Sequence, residues 1–93
     1  MTPILKSTFD VFEVPAGLAV IGTNPDLDPY PVSWFDQLKG KTIRFQNLNG
    51  TIVICPILDV KITSSLVGLK NIAFLLPLEW KGKIYTGAEV TIL

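Results

Sequence analysis

Glycine and proline interrupt this chain so often that no long helix fits between the breaks. Seven of each are spread through 93 residues. The stretches between them are rich in Val, Ile, Thr, Phe and Tyr, which pack well on a pleated surface. Six strands are expected, over 7–14, 18–23, 41–46, 51–63, 70–76 and 84–93. In the first, Phe9 and Val11 fall on one face and Asp10 and Phe12 on the other. Pro15-Ala16-Gly17 turns the chain into an apolar second strand, where Gly22 marks a bulge, a bend or a close backbone approach. The third strand sets Ile43 and Phe45 against Thr42 and Arg44, and Asn47-Leu48-Asn49-Gly50 is the clearest hairpin turn.

The fourth stretch is too long to be one straight strand. Pro56 lacks an amide donor, so it marks an edge, a bulge or a corner. After it, Leu58, Val60 and Ile62 alternate with Asp59 and Lys61. A connection over 64–68 leads to the fifth strand, which Pro77 stops. A loop over 78–83 holds Trp80 between Glu79 and Lys81, and Thr86-Gly87 divides the last stretch. Before the third strand, 24–31 carries three prolines in eight residues and belongs to neither a helix interior nor a central strand. Trp34, Phe35 and Leu38 then fit one helical turn, opened by Ser33 and ended by Lys39-Gly40.

Short strands with closely spaced turns imply an all-β fold, a small six-stranded antiparallel barrel with at most one short helical turn, in one domain over 1–93. Closure is expected because there are few charges to blunt open edges. Val11, Val20, Ile43, Phe45, Ile54, Val60, Ile72, Phe74 and Val90 are expected to face inward.

Charge and composition then remove several functions. Eight basic and eight acidic residues balance, so no electrostatic footprint for duplex nucleic acid or an anionic membrane exists. Histidine is absent, which removes the commonest general base and metal ligand. One cysteine forms no internal disulfide. Apolar residues make up 48% against 17% charged, so either the interior is tightly filled or apolar surface is left for a partner. The longest apolar runs, 52–58 and 72–78, are broken by Pro56 and Pro77, far short of the ~18–20 residues that span a bilayer. Acids at Asp10 and Glu13 follow Lys6 too soon for a signal peptide, and no lipidation motif is present, so a cytoplasmic location without membrane attachment is expected.

The order of these pieces resembles the second, β-barrel domain of Tu-type translation elongation factors. Phe9-Asp10-Val11-Phe12 followed by Gly17-Leu18-Ala19-Val20-Ile21-Gly22 is similar to that domain's first hairpin. Leu38-Lys39-Gly40-Lys41-Thr42-Ile43 resembles its glycine turn and next strand. The segment from Val67 and Gly68 through Ile72 to Leu76 resembles a later apolar strand, and Gly87-Ala88-Glu89-Val90 its closing one. The resemblance implies a translation-factor-like barrel used for interaction, in a family that packs on a GTPase domain and touches tRNA or ribosome. No P-loop or GTPase domain accompanies it here, and 24–34 is longer and richer in proline than the family's connection.

Asp26-x-Asp28 offers two carboxylates to a hard cation, but no third acid follows at loop spacing, and aspartate is also a turn residue in its own right. No metal, cofactor or catalytic residue is assigned. Cys55 lies between Ile54 and Pro56 in an apolar run and reads as a buried, unreactive thiol. Arg44, Lys70, Lys81 and Lys83 read as a solvated face. Tyr30, Trp34 and Phe35 beside the prolines form either a recognition surface or a plug over the end of the fold, and Trp80 is open to both uses. The resulting expectation is a non-enzymatic module that binds a protein, a homodimer being one version of it. Asp26, Asp28, Tyr30, Trp34 and Trp80 are its expected contacts. The alternative, resting on the resemblance, is a translation-associated or RNA-contacting barrel; an enzyme would have no spaced constellation to work with.

Overall fold

Each apolar run ends at a turn residue and doubles back, and the computed structural model, which describes residues 4–5, 7–64 and 69–93, builds two antiparallel sheets this way. Among the described residues there are seven strands. They are β1 (Ser7–Val14), β2 (Gly17–Thr23), β3 (Thr42–Gln46), β4 (Ile52–Pro56), β5 (Asp59–Ser64), β6 (Lys70–Leu76) and β7 (Glu89–Ile92). The larger sheet has the order β1-β2-β6-β5, and the smaller one β4-β3-β7. One short helix, α1 (Val32–Phe35), lies between β2 and β3. Lys6 and most of the connection over 64–68 lie outside the described residues.

The core lies between the sheets. Leu18 and Val20 of β2 and Ile72, Phe74 and Leu76 of β6 face Ile43 and Phe45 of β3 and Val90 of β7, all buried. Val11 and Val60 are partly buried against this core, on the expected side. Gly17 opens β2 beside the end of β6, and a Cβ there would stand 2.4 Å from the Leu76 carbonyl oxygen, so only glycine fits. The bulge signalled by Gly22 falls on its partner strand, where the β1–β2 register shifts between Thr8 and Asp10. The Asn47–Gly50 turn forms as expected. Gly50 N–H bonds the Asn47 carbonyl at 2.9 Å, with Gly50 at φ 89°.

Several expectations need correction. The six-stranded barrel is not formed: the sheets are two and do not close on each other. The expected fourth strand is β4 and β5, which belong to different sheets. The chain changes sheets at Ile57 and Leu58. Ile57 N–H bonds the Lys41 carbonyl at 2.8 Å, extending the β3–β4 ladder, and Leu58 N–H bonds the Leu75 carbonyl at 2.8 Å, extending β5–β6. Crossing that corner shifts the inward parity. Val53, Cys55 and Ile57 face the core before it, and Val60 and Ile62 after it. Ile54, expected inward, is therefore 50% exposed. The last strand is shorter than expected, because a turn occupies 86–87 and strand pairing begins at Glu89. The helical turn starts after Pro31, not Ser33, and three 3-10 turns, Pro25–Leu27, Asp36–Leu38 and Leu78–Trp80, exceed the single turn expected.

Asn47 does more than turn the hairpin. It is buried, its amide donates to the Lys83 carbonyl at 2.9 Å and the Thr51 hydroxyl at 3.0 Å, and its Oδ1 accepts the Tyr85 N–H at 3.0 Å. The side chain thus fastens the turn before β7 to the β3–β4 hairpin.

Cys55 is buried, and burial first, then the Glu79 carboxylate, pushes its thiol from 9.0 up to about 11. The native state therefore keeps the proton where the unfolded chain has lost it. The thiol's contribution to stability is complete below pH 9.0 and is lost as pH rises towards about 11. Native Cys55 is expected to react with iodoacetamide only at the unfolding rate at neutral pH, as mass spectrometry of the adduct would follow. Fast native labelling would contradict the buried assignment. Cys55→Ser is expected to cost about 1–3 kcal/mol in denaturant unfolding, because the hydroxyl enters an apolar site.

Candidate binding surface

The proline loop folds as a packed cover. Asn24 is buried, donates to the Ile4 carbonyl at 3.2 Å, and caps the Pro25–Leu27 turn by accepting Asp26 N–H at 3.1 Å. Asp26 itself is exposed in that turn. Asp28 reaches across the chain to the start of β6. Its Oδ1 accepts Lys70 N–H at 3.1 Å, and Lys70 Nζ bonds the Asp28 carbonyl. Phe35 and Leu38 enter the core, and Trp34 packs against it. Tyr30, Trp34 and Phe35 stack edge to face in series, with centroid separations of 4.8 and 5.0 Å. Tyr30 keeps an exposed edge at the outer end of that series.

The other expected contact, Trp80, stands outside this aromatic series. It packs partly on the core at the Leu78–Trp80 turn, with Lys83 Nζ 5.4 Å from its ring centroid. Its indole N–H is buried with no acceptor among the described residues. Lys81 beside it pairs with Glu13 of β1 at 2.6 Å, an exposed pair of small energetic weight. Of the five expected contacts, Tyr30 and Trp34 are thus brought together, Asp28 is engaged in an internal tie, and Trp80 belongs to a different edge.

A second surface was not expected from the loop. The outer face of the larger sheet carries a groove of about 390 Å³. Strand register arranges the outer face around it in two rows, the first starting at Asp10 beyond the groove's edge. One runs Asp10, Ile21, Ala73, Lys61 across β1, β2, β6 and β5, and the next runs Phe12, Ala19, Leu75, Asp59. Ala19 and Ala73 sit diagonally and leave the trough, while Phe12, 40% exposed, forms one wall. Asp59 and Lys61 form the opposite wall. Asp59 has Lys39 at 4.0 Å; Asp10 and Lys61 have no ion-pair partner among the described residues.

The sequence did contain a signal for this face. A sheet covered on one side alternates apolar and polar residues, whereas a strand apolar on both sides is one covered on both. Within β2 the stretch Leu18-Ala19-Val20-Ile21, and within β6 the stretch Ile72-Ala73-Phe74-Leu75-Leu76, have no polar alternate, the polar residues Thr23 and Asn71 coming at the strand ends. Among the described residues, only one side of this sheet meets the rest of the chain.

Comparison with protein-family models, with curated proteins and with solved structures returns no match. Among the described residues no helix is long and apolar enough to cross a membrane. No three or more acidic or cysteine side chains gather there as a metal-holding group.

Asp28→Ala is expected to destabilise the fold by about 1.5–3 kcal/mol, because Lys70 N–H loses a charged acceptor. Asp28→Asn keeps an acceptor oxygen and should lose less. Thermal unfolding of the two variants checks this, and an unchanged Asp28→Ala would show that the tie carries no structural load.

Proposed function

We propose that this chain is a non-enzymatic protein-binding module that docks its partner on the outer face of the β1-β2-β6-β5 sheet. The observation that carries this reading is the apolar outer face of the two central strands, Ala19 and Ile21 on β2 with Ala73 and Leu75 on β6. Leaving such a face in water is unfavourable at about 25 cal/mol per Å² of apolar surface, and a docked protein removes that cost. The groove walls supply an aromatic on one side and a charged pair of residues on the other, the mixture of anchor and polar rim found at interfaces.

The proline loop has a supporting role in this reading. Asp28 and Trp34 hold the cover in place, while Asp26, Tyr30 and the edge at Trp80 lie outside the groove lining. The ionisable groups that line the groove are Asp59 and Lys61, both on its one wall, and no nucleophile stands beside them.

Photo-crosslinking from single positions tests the location. A benzophenone side chain replacing Ile21 is expected to give protein adducts, and one replacing Tyr30 or Ile54 is not. Adducts from Tyr30 with none from Ile21 would return the binding surface to the proline loop and overturn this reading.

A further inference from the structure

We infer that the occupant of this face is a second copy of the same chain, packed about a two-fold axis parallel to the strands. The inference rests on the docking surface proposed above and adds the identity of its partner. It comes from strand register. A two-fold axis running between β2 and β6 exchanges β1 with β5 and β2 with β6 across the interface, keeping each row opposite its own copy. In the first row, Asp10 then meets the other copy's Lys61, and Ile21 meets Ala73. In the second row, Leu75 meets Ala19, and Phe12 meets Asp59.

Three features of this pairing are complementary. On the two central strands each large apolar side chain faces a small one, so Ile21 and Leu75 of one copy enter the hollows left by Ala73 and Ala19 of the other. Of the four charged or aromatic residues that end these rows, Asp10 and Lys61 are the two charges with no ion-pair partner among the described residues, and symmetry brings them together twice. Asp59, which meets a ring, already has Lys39 beside it. Face-to-face sheets pack about 10 Å apart with strand directions aligned to within about 30°, and an axis along the strands satisfies that.

A different axis, perpendicular to the strands, would also place large residues on small ones. It would set Lys61 against Asp59, which Lys39 already serves, and leave Asp10 over the Phe12 ring. The first axis is favoured because it pairs both unserved charges.

The face is small. Four strands ~4.8 Å apart and a few residue rows give on the order of 400 Å² per copy, about half of a standard interface. The dimer is therefore weak, concentration-dependent and sensitive to salt.

Sedimentation velocity on the purified chain over a concentration series tests this. The wild type is expected to shift from monomer to dimer as concentration rises. Asp10→Lys and Lys61→Asp should each weaken association by about tenfold or more, since like charges then face each other. The double exchange, Asp10→Lys with Lys61→Asp, should restore it to near the wild-type value. Both positions are exposed on edge strands, and melting curves of the variants verify that each folds. A wild type that stays monomeric overturns the inference even where Ile21 crosslinks to some other protein, which would leave the docking surface itself standing. A dimer untouched by Asp10→Lys, or a double exchange no better than the single changes, overturns the proposed axis and pairing.

Discussion

The arrangement of this molecule turns on the two residues at which one strand leaves the smaller sheet and enters the larger. Pro56 ends β4 on an edge, where its missing amide costs no ladder bond. Ile57 and Leu58 then spend their amides on different sheets, one on Lys41 and the other on Leu75. Ile57 is buried at that corner, so the backbone crossing is also a packing contact between the layers. Gly40 N–H adds a bond to the Ile57 carbonyl at 2.9 Å. Without this crossing, Val60 and Ile62 would have no reason to face the same core as Val53 and Cys55. On the opposite flank the chain crosses again, where Ile4 and Leu5 meet Val90 before β1 begins.

The sheets pack on each other with one face each, and this leaves an imbalance. The outer face of the smaller sheet carries Arg44, Gln46 and Glu89 among its residues, a mixed solvated surface despite Ile52 and Ile54 on its edge strand. The outer face of the larger sheet is apolar at Ala19 and Ile21 of β2 and Ala73 and Leu75 of β6, and polar at Thr23 and Asn71 and at the charges on the edge strands. Two layers suffice for a fold of this size, yet one sheet is composed as though a third layer existed. The proline loop meanwhile spends its aromatic residues on closing the space between the sheets, with Phe35 buried and Trp34 and Tyr30 stacked outward from it.

Much of the architecture was legible because it rests on local chemistry. The C-terminal ends of β1 and β6 follow from Pro15 and Pro77, and the Asn47–Gly50 turn from one glycine at positive φ. The burial of Val20, Ile43, Phe45, Ile72, Phe74 and Val90 follows from alternation. Errors arose where a tertiary event interrupts a local rule. Alternation carried unbroken through Pro56 puts Ile54 inward beside Cys55, but neighbours in a strand face opposite ways, and only the corner at Ile57 resolves which parity holds. Asn47 and Asp28 are turn-forming types whose partners, Lys83 and Lys70, lie 36 and 42 residues away, and no local signal announces such ties. The groove was written in the doubly apolar β2 and β6, but it becomes readable only once the sheet is known to have a single layer of cover.

If the outer face of the larger sheet is covered by a second copy of the chain, as proposed, methyl NMR on dilution examines it residue by residue. With the methyl groups of Ala19, Ile21, Ala73 and Leu75 assigned, their resonances should move together as protein concentration falls, while those of Ile52 and Ile54 on the other sheet stay fixed. Resonances of the groove that do not change with concentration, or changes confined to Ile52 and Ile54, would mean that this face is not where copies meet.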